Sequence, residues 1–233
     1  PGHNYLVEQS AGSGKSNTIA WLAHRLSNLH NAEDERVFDS VIVITDRVVL
    51  DRQLQDTIYQ FDHRQGVVEK IEENSRQLAE ALENAVPIII TTLQKFPFVT
   101  QQLLKMAEER GDERSHLLTR KCAVIIDEAH SSQSGETATD LKEVLGGEAL
   151  RKKAKELAEE EGGVDLEKLY RSVAKRGQQP NLSFFAFTAT PKHKTLKVFG
   201  QNPICQRLKY TMRQAIEEGF IEDVLKNYVT YKT

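Results

Sequence analysis

The sequence predicts an α/β fold in which a mostly parallel sheet carries helices on both faces, because short apolar strands alternate with segments of helical periodicity. Each apolar run has the length and the β-rich composition of a strand. Near-continuous apolar runs are typical of parallel strands that helices cover on both sides. The five predicted strands are Tyr5–Val7, Val41–Thr45, Ile88–Thr91, Ala123–Asp127 and Ser183–Thr188.

A helix is predicted between the first two strands. Apolar residues recur there near the helical period, so we expect the helix to pack on the sheet through a single stripe. The predicted stripe consists of Ile19, Trp21, Leu22, Leu26 and Leu29.

The composition is that of a globular protein, with 39% hydrophobic and 28% charged residues among 233. No apolar run approaches the roughly 20 residues that span a bilayer, and nothing resembles a signal peptide, so we expect a cytoplasmic protein without a membrane partner. The net charge of −3 excludes a uniformly basic surface but not a basic track on one face. Cys122 and Cys205 are expected to be reduced and unpaired.

Residues 141–178, approximately, are predicted to form a charged helical insert. Charge is densest from Arg151 to Glu161, and two glycines then separate this run from a second helix-like run. Such a face is usually solvated, and docking of a partner or of DNA is the alternative. The first strand begins almost at Pro1, and Tyr228–Thr233 starts a new alternation, so we expect a piece of a longer polypeptide.

A phosphate-binding loop is predicted from Gln9 to Ser16, between the first strand and the first helix. Lys15 would neutralise the β- and γ-phosphate oxygens of a nucleotide, and Ser16 would offer its hydroxyl to Mg²⁺. Gln9 stands where the general pattern has glycine. Small residues let backbone N–H groups surround the phosphates at the start of the helix, and here they are Gly12, Ser13 and Gly14.

Two adjacent carboxylates follow the fourth predicted strand. Asp127 is predicted to hold Mg²⁺ through its water shell, and Glu128 to polarise the water that attacks the γ-phosphate. His130 would relay the state of the phosphate to neighbouring elements. Ligands bind at the carboxyl ends of strands in open α/β sheets, so this motif is expected to face the phosphate loop.

Small polar residues follow three further strands. Thr188 and Thr190 match in order and spacing the coupling motif of superfamily 2 helicases and translocases, which links the ATP state to the grip on nucleic acid. Hydroxyls and single cations at strand ends are also typical of a sequence-independent phosphate track, with helix capping as the alternative. The predicted track consists of Thr45, Arg47, Thr92, Gln94 and Lys95.

Nearly the whole chain apart from the charged insert resembles one family, the restriction subunit of type I restriction-modification enzymes. The resemblance implies that residues 1–233 are a single RecA-like motor domain, the first of two, that hydrolyses ATP with Mg²⁺ and translocates double-stranded DNA. The segments that carry it are Val41–Gln65, Val124–Glu136, Phe185–Gly200 and Met212–Tyr228.

The same resemblance implies several partners. In the family, a nuclease domain precedes this region, a second RecA-like lobe follows it, and methylation and specificity subunits complete the enzyme. No nuclease motif and no second-lobe arginine finger occur in this sequence. We therefore expect the isolated piece to bind ATP weakly and to hydrolyse it slowly or not at all.

Two other functions stay open at this point. The first is another superfamily 2 helicase, because a strand-separating pin would lie outside this sequence. The second is a P-loop module that binds a nucleotide to organise partners. Glu128 favours hydrolysis, since a module that only binds has no need of it, and no guanine-reading Asn-Lys-x-Asp run is present.

Overall fold

The structure, a computed structural model, describes residues 2–45, 54, 56–60, 66–71, 75–92, 120–129, 181–199 and 208–219. Several predictions from the sequence lie outside these residues. They are the charged insert at about 141–178, Arg47, Gln94, Lys95, His130 and Cys205.

One sheet holds the seven strands of the described residues, and all of their pairings are parallel. The spatial order is β3-β4-β2-β5-β6-β1-β7, so the chain crosses over between non-neighbouring strands. The strands are β1 (Asn4–Gln9), β2 (Ser40–Thr45), β3 (Val68–Lys70), β4 (Ile88–Thr92), β5 (Cys122–Ile126), β6 (Leu182–Thr188) and β7 (Leu208–Tyr210).

The five predicted strands are confirmed as β1, β2, β4, β5 and β6, each within three residues of its predicted ends. The predicted strand that became β5 included Asp127, but β5 ends one residue earlier, at Ile126. The outer strands β3 and β7 were not predicted. Each has only three residues and includes a lysine, so neither produces an apolar run in the sequence.

Helices cover both faces of the sheet, as predicted. Helix α1 packs on one face together with alternate residues of the central strands, and α2 and α3 pack on the opposite face. The central strands β2, β4 and β5 are buried along their whole length. Helices of the described residues include α1 (Lys15–Ser27), α2 (Ser75–Glu83), α3 (His193–Phe199) and α4 (Met212–Glu217), and residues 54 and 56–60 are helical as well.

The predicted stripe of α1 is wrong at two positions. Trp21 is 55% exposed and Leu29, which lies after the end of the helix, is 40% exposed. Two residues correspond to about 200° of rotation around a helix, so Trp21 points away from the face that Ile19 buries. Ala20 and Ala23 are fully buried instead, and their small side chains let the helix lie close to the sheet.

Cys122 begins β5 and is a free, buried thiol. Burial raises its pKa to about 12, with the carboxylate of Asp39 adding to the effect and the guanidinium of Arg120 opposing it. The structure agrees with the predicted unpaired cysteine at this position. Among the described residues, no helix is long and apolar enough to cross a membrane.

Candidate active site

The strand order brings the predicted phosphate loop and the predicted acidic motif to the same edge of the sheet. The loop follows β1 and the carboxylates follow β5, while β6 lies between these two strands. Because all three strands are parallel, their carboxyl ends meet at one edge. This is the edge at which open parallel sheets bind ligands.

The loop adopts the conformation that its glycines permit. Gly12 and Gly14 have φ angles of 77° and 80°, in the left-handed region that side chains disfavour. Gly14 is the N-cap residue of α1 and makes no side-chain cap hydrogen bond. An uncapped helix start that follows such a loop is suited to bind phosphate.

Gln9 stabilises this loop through two hydrogen bonds from its side chain. Its side chain is buried, and the amide Nε2 donates to the carbonyl of Ser13 at 3.0 Å and to the hydroxyl of Thr18 at 3.2 Å. The hydroxyl of Ser13 in turn donates to the carbonyl of Ser10 at 2.6 Å. The residue that departs from the general glycine pattern therefore connects the beginning of the loop with its end and with α1.

Residues 127–129 form the acidic turn, which other elements hold by its backbone. The N–H of Asp127 donates to Ile44 of β2 at 2.9 Å, and the N–H of Ala129 donates to Phe187 of β6 at 2.9 Å. Between them, Glu128 has a φ angle of 53°, which is unusual for a residue other than glycine.

Lys15 joins the loop to the acidic turn. Its Nζ lies 3.0 Å from Oδ1 of Asp127 and also contacts Oε1 of Glu128. Burial raises the pKa of Asp127, and the positive charge of Lys15 opposes that increase. The cation and the two carboxylates predicted from distant parts of the sequence therefore form one charged centre.

Ser16 and Asp127 are the predicted Mg²⁺ ligands. Asp127 already has a cationic partner in Lys15, which shows that its carboxylate lies where positive charge is stabilised. No group of three or more His, Cys, Asp or Glu residues within the described ranges is arranged to hold a metal. A hydroxyl and a carboxylate are oxygen donors of the kind Mg²⁺ takes, and proteins usually bind Mg²⁺ through one or two side chains together with phosphates and water.

The predicted coupling residues lie between the loop and the acidic turn. Thr188 ends β6 and is fully buried, and its hydroxyl accepts a hydrogen bond from the N–H of Thr190 at 3.3 Å. Thr45 and Thr92 of the predicted track are register partners at the ends of β2 and β4, and both are buried. The other track residues and His130 lie outside the described residues.

Two residues that the structure places at this site have no role predicted from the sequence. One is Gln9, for which the signal was a polar residue in the place of a glycine. The other is Thr195, whose hydroxyl donates to the carbonyl of Ala129 at 3.2 Å. Nothing in the sequence pattern distinguishes Thr195 from an ordinary helix residue.

Relatives of this chain include type I restriction enzyme endonuclease subunits. The subunit of Staphylococcus aureus (strain COL) is 25% identical over 241 residues, which cover 99% of this chain and 20% of that protein. The subunit of Staphylococcus saprophyticus is 27% identical over 134 residues, which cover 58% of this chain and 13% of that protein. The predicted resemblance is thereby confirmed, and the chain spans about a fifth of the length of these curated relatives.

A solved structure supports the fold. It is a nuclease-deletion mutant of the type ISP restriction-modification enzyme LlaGI in complex with a DNA substrate mimic. It matches 96% of this chain and 19% of its own, with a TM-score of 0.51 and 13% identity. The expected RecA-like α/β fold is confirmed.

A family model described as SWI2/SNF2 ATPase matches residues 4–151. That range contains the phosphate loop and the acidic turn, including the lysine and the two carboxylates that the structure brings together. Because the match covers more than half of the sequence and includes this charged centre, the chain belongs to the SWI2/SNF2 ATPase family.

Proposed function

We propose that this chain is the first motor lobe of an ATP-dependent double-stranded DNA translocase within a cytoplasmic type I restriction endonuclease. The observation that carries the proposal is the contact of Lys15 with both carboxylates of the acidic turn. This contact joins the phosphate-binding cation to the residues that hydrolysis requires. Similarity to restriction endonuclease subunits over 99% of the chain supports the choice of enzyme.

Lys15 has to exchange partners when ATP binds. Without nucleotide its ammonium group neutralises Asp127 and Glu128, and with ATP bound it neutralises the β- and γ-phosphate oxygens. Its side chain is 13% exposed, so the charge operates in a partly desolvated site where electrostatic effects are stronger than in water. Ser16 and Asp127 would hold Mg²⁺, which neutralises developing phosphate charge when it is bound.

Glu128 is the general base of the proposed reaction. Its side chain is 30% exposed, so water can reach the carboxylate. Departure of Lys15 to the nucleotide frees this carboxylate to accept a hydrogen bond from the attacking water. Hydrolysis is thereby linked to the arrival of the phosphates, because the same lysine restrains Glu128 until ATP binds.

DNA is proposed to bind along the same edge of the sheet, beyond the ends of β2 and β4. Thr45 and Thr92 mark these ends, and Thr188 and Thr190 would couple the ATP state to the DNA grip, with His130 as a relay. The predicted track comprises Thr45, Arg47, Thr92, Gln94 and Lys95.

Other parts of the enzyme are the remaining partners in this proposal. Residues of a second RecA-like lobe complete the ATP site. A nuclease domain and the methylation and specificity subunits complete the enzyme.

The test is the ATPase activity of the full-length subunit with and without linear duplex DNA. We expect duplex DNA to stimulate the wild type. Lys15→Ala should lower kcat/KM by at least roughly a hundredfold, because it removes a charge that stabilises the transition state. Glu128→Gln should lower kcat by about 10²–10⁴-fold while ATP still binds, because it removes a general base.

Matched controls separate these effects from changes in surface charge. Lys121→Ala and Glu33→Gln change exposed residues outside the site and should leave turnover within about twofold of the wild type. Activity that is indifferent to DNA, or that survives Lys15→Ala, would instead support a nucleotide-organised interaction module.

A further inference from the structure

The backbone of the acidic turn receives a hydrogen bond from a distant side chain. The hydroxyl of Thr195 in α3 donates to the carbonyl of Ala129 at 3.2 Å, across 66 positions of sequence. Thr195 is 4% exposed, so water is a poor substitute for this carbonyl as the partner of its hydroxyl. Threonine hydroxyls inside helices often bond a carbonyl three or four residues earlier in the same helix. Here the hydroxyl donates to the backbone of the acidic turn, outside its own helix.

The bond is adjacent to a strained residue. Glu128 has a φ angle of 53°, and a left-handed conformation of a residue other than glycine costs about 1–3 kcal/mol unless the surroundings hold it. The backbone on its two sides is held from β2, through the N–H of Asp127, and from β6, through the N–H of Ala129. Thr195 adds a third element, α3, because its hydroxyl donates to the carbonyl of Ala129.

Helix α3 connects the predicted coupling motif with the acidic turn. Helix α3 begins at His193, three residues after Thr190 of the predicted coupling motif. The carbonyl that Thr195 binds belongs to the residue next to Glu128. A movement of this helix would therefore change the conformation of the turn that aims the Glu128 carboxylate at Lys15.

We propose that Thr195 is a positioning residue that holds Glu128 in the orientation needed for hydrolysis and connects α3 to the acidic turn. This inference rests on the proposed ATPase function. The chemical role of Thr195 is to donate one hydrogen bond to the backbone next to the general base, without contacting the nucleotide.

The experiment compares Thr195→Val, which retains the shape but loses the hydroxyl, with Thr195→Ser, which retains the hydroxyl. Steady-state ATPase is measured on the full-length subunit with duplex DNA. We expect Thr195→Val to lower kcat about tenfold, with the KM for ATP within about twofold, because the substitution misplaces a catalytic group and leaves nucleotide contacts intact. Thr195→Ser should restore kcat to within about threefold of the wild type.

A double-mutant cycle tests whether the effect passes through Glu128. In a Glu128→Gln background, Thr195→Val should lower kcat by less than about twofold further, since residues that act as a unit are not additive. A general destabilisation would act equally in both backgrounds. Full additivity, or equal losses in the valine and serine variants, would overturn the positioning role.

The outcomes also distinguish this inference from the proposed function. If the wild type has no ATPase activity, the function fails and the role of Thr195 fails with it. If the wild type is active and Thr195→Val leaves kcat unchanged, only the positioning role is wrong.

Discussion

The phosphate loop and the acidic turn form one charged centre, but they are held in different ways. The loop is closed by its own side chains, with Gln9 bonded to Ser13 and Thr18, four and nine positions away. The acidic turn is held by β2, β6 and α3, and its bond from Thr195 spans 66 positions. The side-chain hydrogen bonds that close the loop are therefore local, and one backbone bond, from the N–H of Ser10 to Tyr210, ties it to β7, whereas the turn depends on three distant elements of the fold.

This difference has consequences for how each region fails. A local network is lost when one of its own side chains is removed, while the rest of the fold is little affected. A turn that depends on distant elements is lost when the packing of those elements weakens. Substitutions of each kind should therefore separate nucleotide binding from the stability of the sheet.

The largest effect is expected in the sheet that supports the turn. Ile125 is fully buried in β5, and Ile125→Ala should lower the free energy of unfolding of this region by about 2–5 kcal/mol through lost burial and a residual cavity. Trp21→Ala is the control, because that side chain is 55% exposed, and its effect should stay within about 0.5 kcal/mol. Pulse proteolysis of the full subunit in urea, with fragments identified by mass spectrometry, measures both.

Equal losses in the two variants would contradict the packing described for α1 and β5. They would mean that the exposed face of α1, including the Arg25 guanidinium that lies 5.7 Å from the Trp21 ring centre, stabilises the fold as much as the sheet does.

A smaller effect is expected from removing the side-chain amide that closes the loop. Gln9→Leu keeps an apolar body but loses both hydrogen bonds, so KM for ATP should rise about tenfold because the loop is no longer preorganised. The free energy of unfolding should fall by about 1–3 kcal/mol at most, because the buried carbonyl of Ser13 loses its donor. Steady-state ATPase of the full subunit measures KM, and urea midpoints measure stability.

Gln77→Leu is the matched control for this substitution. Gln77 also donates an amide hydrogen bond to a backbone carbonyl, that of Lys70, at 3.1 Å, but Lys70 belongs to β3, which four strands separate from β1. Its KM should stay within about twofold of the wild type. A similar rise of KM in both variants would refute the specific role of Gln9 in the loop.

The smallest effect concerns Cys122, at the end of β5 opposite the acidic turn. Its folded pKa of about 12 lies above the unfolded value, which is about 8.5. Its thiol therefore contributes stability below about pH 8.5 that is lost as the pH rises towards 12. From pH 7 to pH 9 the loss should be about 0.8 kcal/mol.

The measurement is the same urea proteolysis at both pH values, with Cys122→Ala as the reference. Other titrating groups act equally in the two proteins, so the difference between their pH dependences isolates this thiol. An identical pH dependence in wild type and variant would show that the buried thiol does not titrate as proposed.

The sequence predicted the central sheet and most of the site, because these features leave local patterns. The buried strands are apolar runs, and Gly12, Gly14 and Lys15 follow one of them at a spacing that predicts phosphate binding. Asp127 and Glu128 were predicted to lie at the end of another strand because they directly follow an apolar run. Their meeting with Lys15 required that these strands be parallel and that β6 alone separate β1 from β5 in the sheet.

The edge strands β3 and β7, the buried face of α1 and the contacts of Gln9 and Thr195 were decided by the tertiary structure. Short edge strands gain their conformation from pairing with a neighbour and not from an apolar pattern of their own. Trp21 is apolar, yet it points outward because the rotation of the helix and the small residues Ala20 and Ala23 determine which side meets the sheet.

Local patterns of residues thus determined the chemistry that this protein can carry, since the phosphate loop and the carboxylates are each contiguous in sequence. The orientation of that chemistry was determined only in the folded chain. Glu128 keeps a conformation that its own backbone disfavours because β2, β6 and α3 hold its neighbours. Such long-range hydrogen bonds have no sequence signature, since any threonine has the same hydroxyl and only packing selects its partner.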